Sequence, residues 1–194
     1  MKNTTLFLIA ALLFVSCKKE KALVPTPPPA QPQMRHMPLN DIAVHTGRAR
    51  SLDVDGDGTT DFAFYVQLVG DPVLQIDKMQ FCVGSGVKRN LLVNDANETP
   101  LLQPNDEVKA AHAGFNWWEV SESVLAEKRI GWTETWWDGL WKNAKHRFLA
   151  VQVQKPEGLY HGWVELSMDT SNSKLILHRA AIAKQAGRAV RAGI

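Results

Sequence analysis

The stretch Asp53-Val54-Asp55-Gly56-Asp57-Gly58-Thr59-Thr60-Asp61-Phe62-Ala63-Phe64-Tyr65-Val66-Gln67-Leu68 holds the two patterns on which the reading of the fold turns. Its second half alternates, with Phe62, Phe64, Val66 and Leu68 on one side, the period of a β-strand that presses one face into a core. Its first half is acidic and glycine-rich, a composition suited to a tight connection. An acidic loop feeding an alternating strand predicts β structure, and no stretch of the chain carries a sustained helical period.

Working outward, the region from Leu39 to Ile194 is built of short apolar runs broken by Gly, Asn, Asp and Pro. Runs at Val73 to Ile76, Met79 to Val83, Phe148 to Val153, Tyr160 to Met168 and Leu175 to His178 have strand length and are separated by turn residues such as Gly158 and Asn172. Along the run from Tyr160, the face carrying Tyr160, Gly162, Val164, Leu166 and Met168 is the expected inner one. Ser121 to Lys128 is the one segment that reads as a short helix. No internal repeat argues for a propeller or solenoid. The expectation is an all-β, jelly-roll-like sandwich over 39–194, with a long Trp-rich loop and at most one short helix. A domain of about 155 residues encloses a core without disulfide staples.

The 194 residues are 45% hydrophobic and 22% charged, the mixture of an ordinary globular protein. With 22 Lys+Arg against 20 Asp+Glu, the formal charge is only +2, which excludes a dedicated nucleic-acid binder that works by neutralising phosphates.

The N-terminus reads Met1-Lys2-Asn3, an uncharged apolar run from Leu6 to Val15, then Ser16-Cys17. A basic start, a short apolar stretch and a small residue before a cut form a secretory signal, expected over 1–16. The run is too short for a hydrocarbon core that needs roughly twenty residues. Residues 17–38 follow, with Lys18-Lys19-Glu20-Lys21 and then Pro25, Pro27, Pro28, Pro29, Pro32 and Pro38. That composition favours extended polyproline geometry and reads as a tether on the order of 60 Å long. Phe14-Val15-Ser16-Cys17 resembles the lipobox of bacterial lipoproteins, departing from it at Phe14 where Leu is usual. The resemblance implies that Cys17 becomes the N-terminus and carries palmitate-type acyl chains, anchoring the chain in a membrane. Lys18, rather than an Asp, after the Cys implies the outer membrane, on its periplasmic or surface face. The alternative is an ordinary secreted protein with an incidental Cys. Acylation of Cys17 would leave Cys82 alone in an apolar strand, where a buried small hydrophobe is expected rather than a nucleophile.

The acidic loop puts Asp53, Asp55, Asp57 and Asp61 at positions one, three, five and nine, with Gly58 at six and the Thr59 carbonyl at seven. Alternate carboxylates converge on a hard cation when the chain curls around it, which points to calcium. Position twelve is Phe64 rather than Glu, so the loop is not an EF-hand. It resembles the calcium loops of FG-GAP and related extracellular β-repeats, and that likeness implies Asp53, Asp55, Asp57, Asp61 and Thr59 as ligands. A plain hairpin using Asp-Gly for positive-φ turns is the competing reading.

Tyr160-His161-Gly162-Trp163-Val164-Glu165-Leu166-Ser167, Ala180-Ala181 and Gly187-Arg188-Ala189-Val190-Arg191-Ala192-Gly193 are similar to the ending of exported bacterial β-sandwich proteins, including PEP-CTERM-type ones. His161 interrupts the usual Tyr-Gly pair and Ala181 replaces the usual Tyr. The likeness implies fold and export, not an activity.

Six of the seven Trp lie at 117, 118, 132, 136, 137 and 141. Exposed Trp rings stack on sugars, so Trp132, Trp136, Trp137 and Trp141 are candidates for a polysaccharide platform beside Asn116, Glu134 and Asp138. Packing of a loop onto the sandwich is the alternative. His112, His146, His161 and His178 are scattered without metal-ligand spacing and read as ordinary strand or surface residues. Glu119, Glu134, Asp138 and Glu165 could supply the carboxylate pair of a glycosidase. The expected function is therefore a calcium-braced surface module of the cell envelope, binding polysaccharide or an envelope protein, with a carbohydrate-active hydrolase as the alternative.

Overall fold

The computed structural model describes residues 31–194; Cys17, the signal and most of the tether lie outside the described residues. The strands, in chain order, are β1 (Met34–Val44), β2 (Arg50–Leu52), β3 (Phe62–Asp71), β4 (Ile76–Ser85), β5 (Arg89–Val93), β6 (Glu107–Val108), β7 (Asn116–Glu119), β8 (Glu122–Ile130), β9 (Thr135–Asp138), β10 (Arg147–Lys155), β11 (Gly158–Asp169), β12 (Lys174–Ala183) and β13 (Val190–Arg191). No helix occurs among the described residues. The sheet begins at Met34, so the expected domain start at 39 falls inside β1.

A six-stranded sheet, in the order β1-β12-β11-β10-β5-β7, packs on a five-stranded sheet, β2-β3-β4-β8-β9. Every pairing is antiparallel, so short hairpins suffice to build both layers. The architecture is an all-β sandwich. Phe62, Phe64, Phe81 and Leu125 from one sheet meet Leu91, Leu149, Val164, Leu166 and Leu177 from the other, all fully buried. Full burial of a side chain of that size stabilises by about 1.5–3 kcal/mol. The face of β3 predicted to point inward does so at Phe62 and Phe64, but Leu68 is 66% exposed because β3 runs on past the edge of the core.

The six-stranded sheet is buried on its outer face as well. Leu92, Phe148, Ala150, Trp163 and Ala181 form a second core beneath Leu102, Val108, Val190 and Ala192, which belong to the small β6–β13 ribbon and its flanks. A buried polar chain crosses this face. Asn90 donates to Gln152 at 2.6 Å, Gln152 lies 3.0 Å from His161 Nε2, and His161 Nδ1 is 2.9 Å from the Arg188 carbonyl. Those contacts define a neutral His161 that donates through Nδ1 and accepts at Nε2. Gly162 lets β11 and β12 approach closely there, since a Cβ at this position would run into the Ala181 carbonyl oxygen.

Two expectations are corrected. The helix expected over Ser121 to Lys128 is β8, because its backbone groups are taken up by ladders to β4 on one side and β9 on the other. The Trp-rich region is not one long loop: Trp117 and Trp118 lie in β7, Trp136 and Trp137 in β9, and Trp132 and Trp141 in the turns that flank β9.

Candidate metal centre

The acidic loop joins β2 to β3, and its conformation follows from its own residues. Gly56 (φ +71°) and Gly58 (φ +88°) turn the chain through the left-handed region. The Asp53 carboxylate gathers the N–H groups this exposes: Oδ1 accepts from Gly56 at 2.5 Å and Asp57 at 3.2 Å, and Oδ2 from Gly58 at 2.8 Å. Asp55 Oδ1 accepts from the Asp57 N–H at 3.1 Å, and Asp61 Oδ2 from Val54 at 2.7 Å. The loop is thereby closed on itself. Arg35 of β1 lies against it, donating to the Asp55 carbonyl at 2.5 Å, and any side chain at 56 would overlap the Arg35 guanidinium.

One oxygen from each of Asp53, Asp55 and Asp61 lies within 4.8 Å of the others, a cluster able to hold a cation. Asp57, another predicted ligand, is not in that cluster. Asp57 Oδ2 faces Arg89 at 3.2 Å, and its Oδ1 accepts from the Thr59 N–H at 2.7 Å. Protein cations already balance much of the loop's charge. Arg89 Nε reaches Asp61 Oδ1 at 2.5 Å, and Lys155 Nζ pairs with Asp55 Oδ2 at 2.8 Å.

The two ends of the loop differ electrostatically. Burial pushes the Asp61 carboxyl above the ordinary range despite Arg89, and Asp61 is only 1% exposed. The exposed Asp57 is lowered, chiefly by the Thr59 N–H bonded to it. Asp55 in turn raises the Lys155 ammonium. A divalent cation among Asp53, Asp55 and Asp61 would relieve the cost of a buried anion at Asp61 and would compete with Lys155 for Asp55.

The four candidate Trp residues separate into core and surface. Trp141 is buried, its indole N–H donating to Thr99 Oγ1 at 3.0 Å, and Trp137 packs on Phe81 with ring centroids 5.6 Å apart. Trp136 is half-buried. Trp132 is 90% exposed. It sits on the β8–β9 turn beside the β3–β4 turn, where Asp71, Gln75, Asp77, Ile130 and Trp132 line an open cleft of about 560 Å³. Trp132 thus stands apart from the other three. β3 separates the cleft from the acidic loop by about 30 Å of strand.

The carboxylates suggested for a glycosidase are dispersed. Glu165 on β11 pairs with Arg179 and His146, Asp138 on β9 with Arg129, and Glu119 on β7 accepts from the Lys88 N–H. Cys82 is buried and its thiol is pushed up to about 12, chiefly by burial, as fits a core residue. The histidines are less scattered in space than in sequence: His146 and His178 stack with centroids 4.2 Å apart. Their contacts come from separate strands, so residue spacing along the chain carried no sign of them.

No protein-family model, curated protein or solved structure matches the chain.

Proposed function

We propose that the chain is a lipid-anchored outer-membrane protein of the cell envelope whose β-sandwich is braced by calcium and serves as a surface binding module. The observation that carries the calcium reading is the convergence of the Asp53, Asp55 and Asp61 carboxylates on one loop. An all-oxygen, all-carboxylate donor set from an irregular loop suits a hard cation with adaptable coordination, as calcium is. Bound there, the ion would tie β2 to β3 at the end of the sandwich where Arg35 of β1 also meets the loop. Its role is to hold the loop rather than to activate water. Asp57 and the Thr59 carbonyl, in the same loop, complete the proposed set.

The ligand class proposed for the module is polysaccharide, and the support is Trp132. A ring left 90% exposed beside the unpaired carboxylate of Asp77 and the amide of Gln75 offers a stacking surface next to hydroxyl-binding groups.

Calorimetric titration of the full-length protein with calcium chloride tests the brace. Saturable binding in the range of about 10⁻⁴ to 10⁻³ M or tighter, lost in Asp55→Asn, is the expected result. Absence of binding at higher calcium would reduce the loop to a self-closed turn held by Arg89 and Lys155.

A further inference from the structure

The outer face of the six-stranded sheet is covered only in part. The C-terminal segment reaches as far as Gly193, whose carbonyl accepts from Arg179 at 3.3 Å. Toward the β11–β12 turn, the two ladders of β12 both break at one residue. Pairing with β1 jumps from Pro38 to Ile42, and pairing with β11 steps from Glu165 to Leu166, while β12 passes from Arg179 to Leu177. His178 is the residue left over on both sides. Bulges of this kind re-aim a side chain, and here the re-aimed side chain is an imidazole.

Its two nitrogens meet different partners. Nε2 lies 2.7 Å from Ser167 Oγ on β11, and Nδ1 lies 2.5 Å from Asp41 Oδ1 on β1. Asp41 is in the left-handed region (φ +55°), as is the preceding Asn40 (φ +54°). The bulge of β1 brings a carboxylate to a histidine 137 residues away. His146, itself at φ +49°, stacks on the His178 ring and is held by Glu165 at 2.7 Å, while its backbone N–H donates to Ser167 Oγ at 2.9 Å.

We propose that Ser167, His178 and Asp41 form a nucleophilic triad that hydrolyses short-chain acyl esters. The hydrogen-bond order is the one such chemistry needs: hydroxyl to Nε2, and Nδ1–H to a carboxylate that fixes the tautomer. Ser167 Oγ attacks the ester carbonyl carbon as its proton passes to His178 Nε2, and the carbonyl π electrons move onto oxygen. Collapse of that adduct breaks the bond to the alcohol oxygen, which leaves with the proton from His178. Water then attacks the acyl-serine, giving one proton to His178. Collapse releases the carboxylic acid and returns that proton to Ser167. Asp41 stays ionised and steadies the imidazolium, and the His146 N–H, bonded to Ser167 Oγ at 2.9 Å, fixes where the hydroxyl sits. The Asp41 side chain is 76% exposed and that of His146 66%, while His178 is 15% exposed, so an ester would reach the half-buried Ser167 from the side of Asp41 and His146.

The test is labelling of the full-length protein with diisopropyl fluorophosphate, which esterifies an activated serine with loss of fluoride, read by peptide mass. Label on Ser167, at least tenfold slower in His178→Gln, is expected. Ser167→Ala should lower hydrolysis of p-nitrophenyl acetate at least tenfold while its melting temperature stays within a few degrees of the parent. Should Ser167→Ala fail to fold, labelling of the unsubstituted protein decides alone. No label on Ser167 after prolonged exposure, or undiminished hydrolysis by folded Ser167→Ala, overturns the triad. Neither outcome bears on calcium at the acidic loop, which lies toward the opposite end of β11.

Discussion

Single side chains set the chemical character of each region. His161 is buried among Gln152, Trp117 and the Arg188 carbonyl, and burial lowers its pKa below the ordinary 6.5. The unfolded chain therefore takes up the His161 proton first as pH falls. Stability drops as pH passes below about 6.5 and levels off under the folded value, with His112, also lowered by burial, adding to the slope. Urea midpoints measured from pH 7.5 to 5 should decline in the parent and decline less in His161→Gln; equal slopes would mean that the buried polar chain does not hold His161 neutral. Residues whose roles depend on near neighbours were legible from sequence: Phe62 and Phe64 by alternation, Asp53 and Asp55 by spacing, Cys82 by its apolar setting. The contact of Asp57 with Arg89 was not, because that partner lies 32 residues away. Nor was His178, whose partners lie on two other strands.

At the scale of elements, pairing overrides propensity. The Glu122–Ile130 segment is rich in helix-forming Glu, Ala, Leu and Lys, yet ladders on both of its edges make it β8. The Trp-rich region shows the complementary lesson. Clustering in sequence suggested one platform, but strands β7 and β9 belong to different sheets and send their rings to different surroundings. Trp141→Ala should destabilise by about 3–5 kcal/mol, since it empties a fully buried site and orphans Thr99. Trp132→Ala should change stability by less than about 0.5 kcal/mol and instead remove the fluorescence change on binding a polysaccharide. Chemical denaturation of the two variants checks the contrast. A large loss of stability in Trp132→Ala would mean that its ring is packed rather than offered to a ligand.

For the whole molecule, the sandwich class followed from texture alone: short runs, frequent turns and no helical period. The layering did not follow. Both faces of the six-stranded sheet are buried, and the second face is sealed by Val108, Val190 and Ala192 from short segments with too few residues for any periodicity to register. The chain enters the sandwich at β1, where Arg35 touches the acidic loop, and the Trp132 cleft lies at the far end of β3. Replacement of Cys17 by Ala should move the protein from the membrane fraction to the soluble fraction of cells expressing it, and an unchanged distribution would remove the lipid anchor from the account.

The brace is the central claim, because it assigns the acidic loop a purpose beyond turning the chain. The most direct measurement is a thermal melt of the full-length protein in calcium and in chelator, repeated for Asp55→Asn. Calcium at a hundred times its dissociation constant should stabilise by about 2.7 kcal/mol, a rise of several degrees that Asp55→Asn abolishes. Identical melts with and without calcium would contradict the account and leave Arg89 and Lys155 as the loop's own counter-ions.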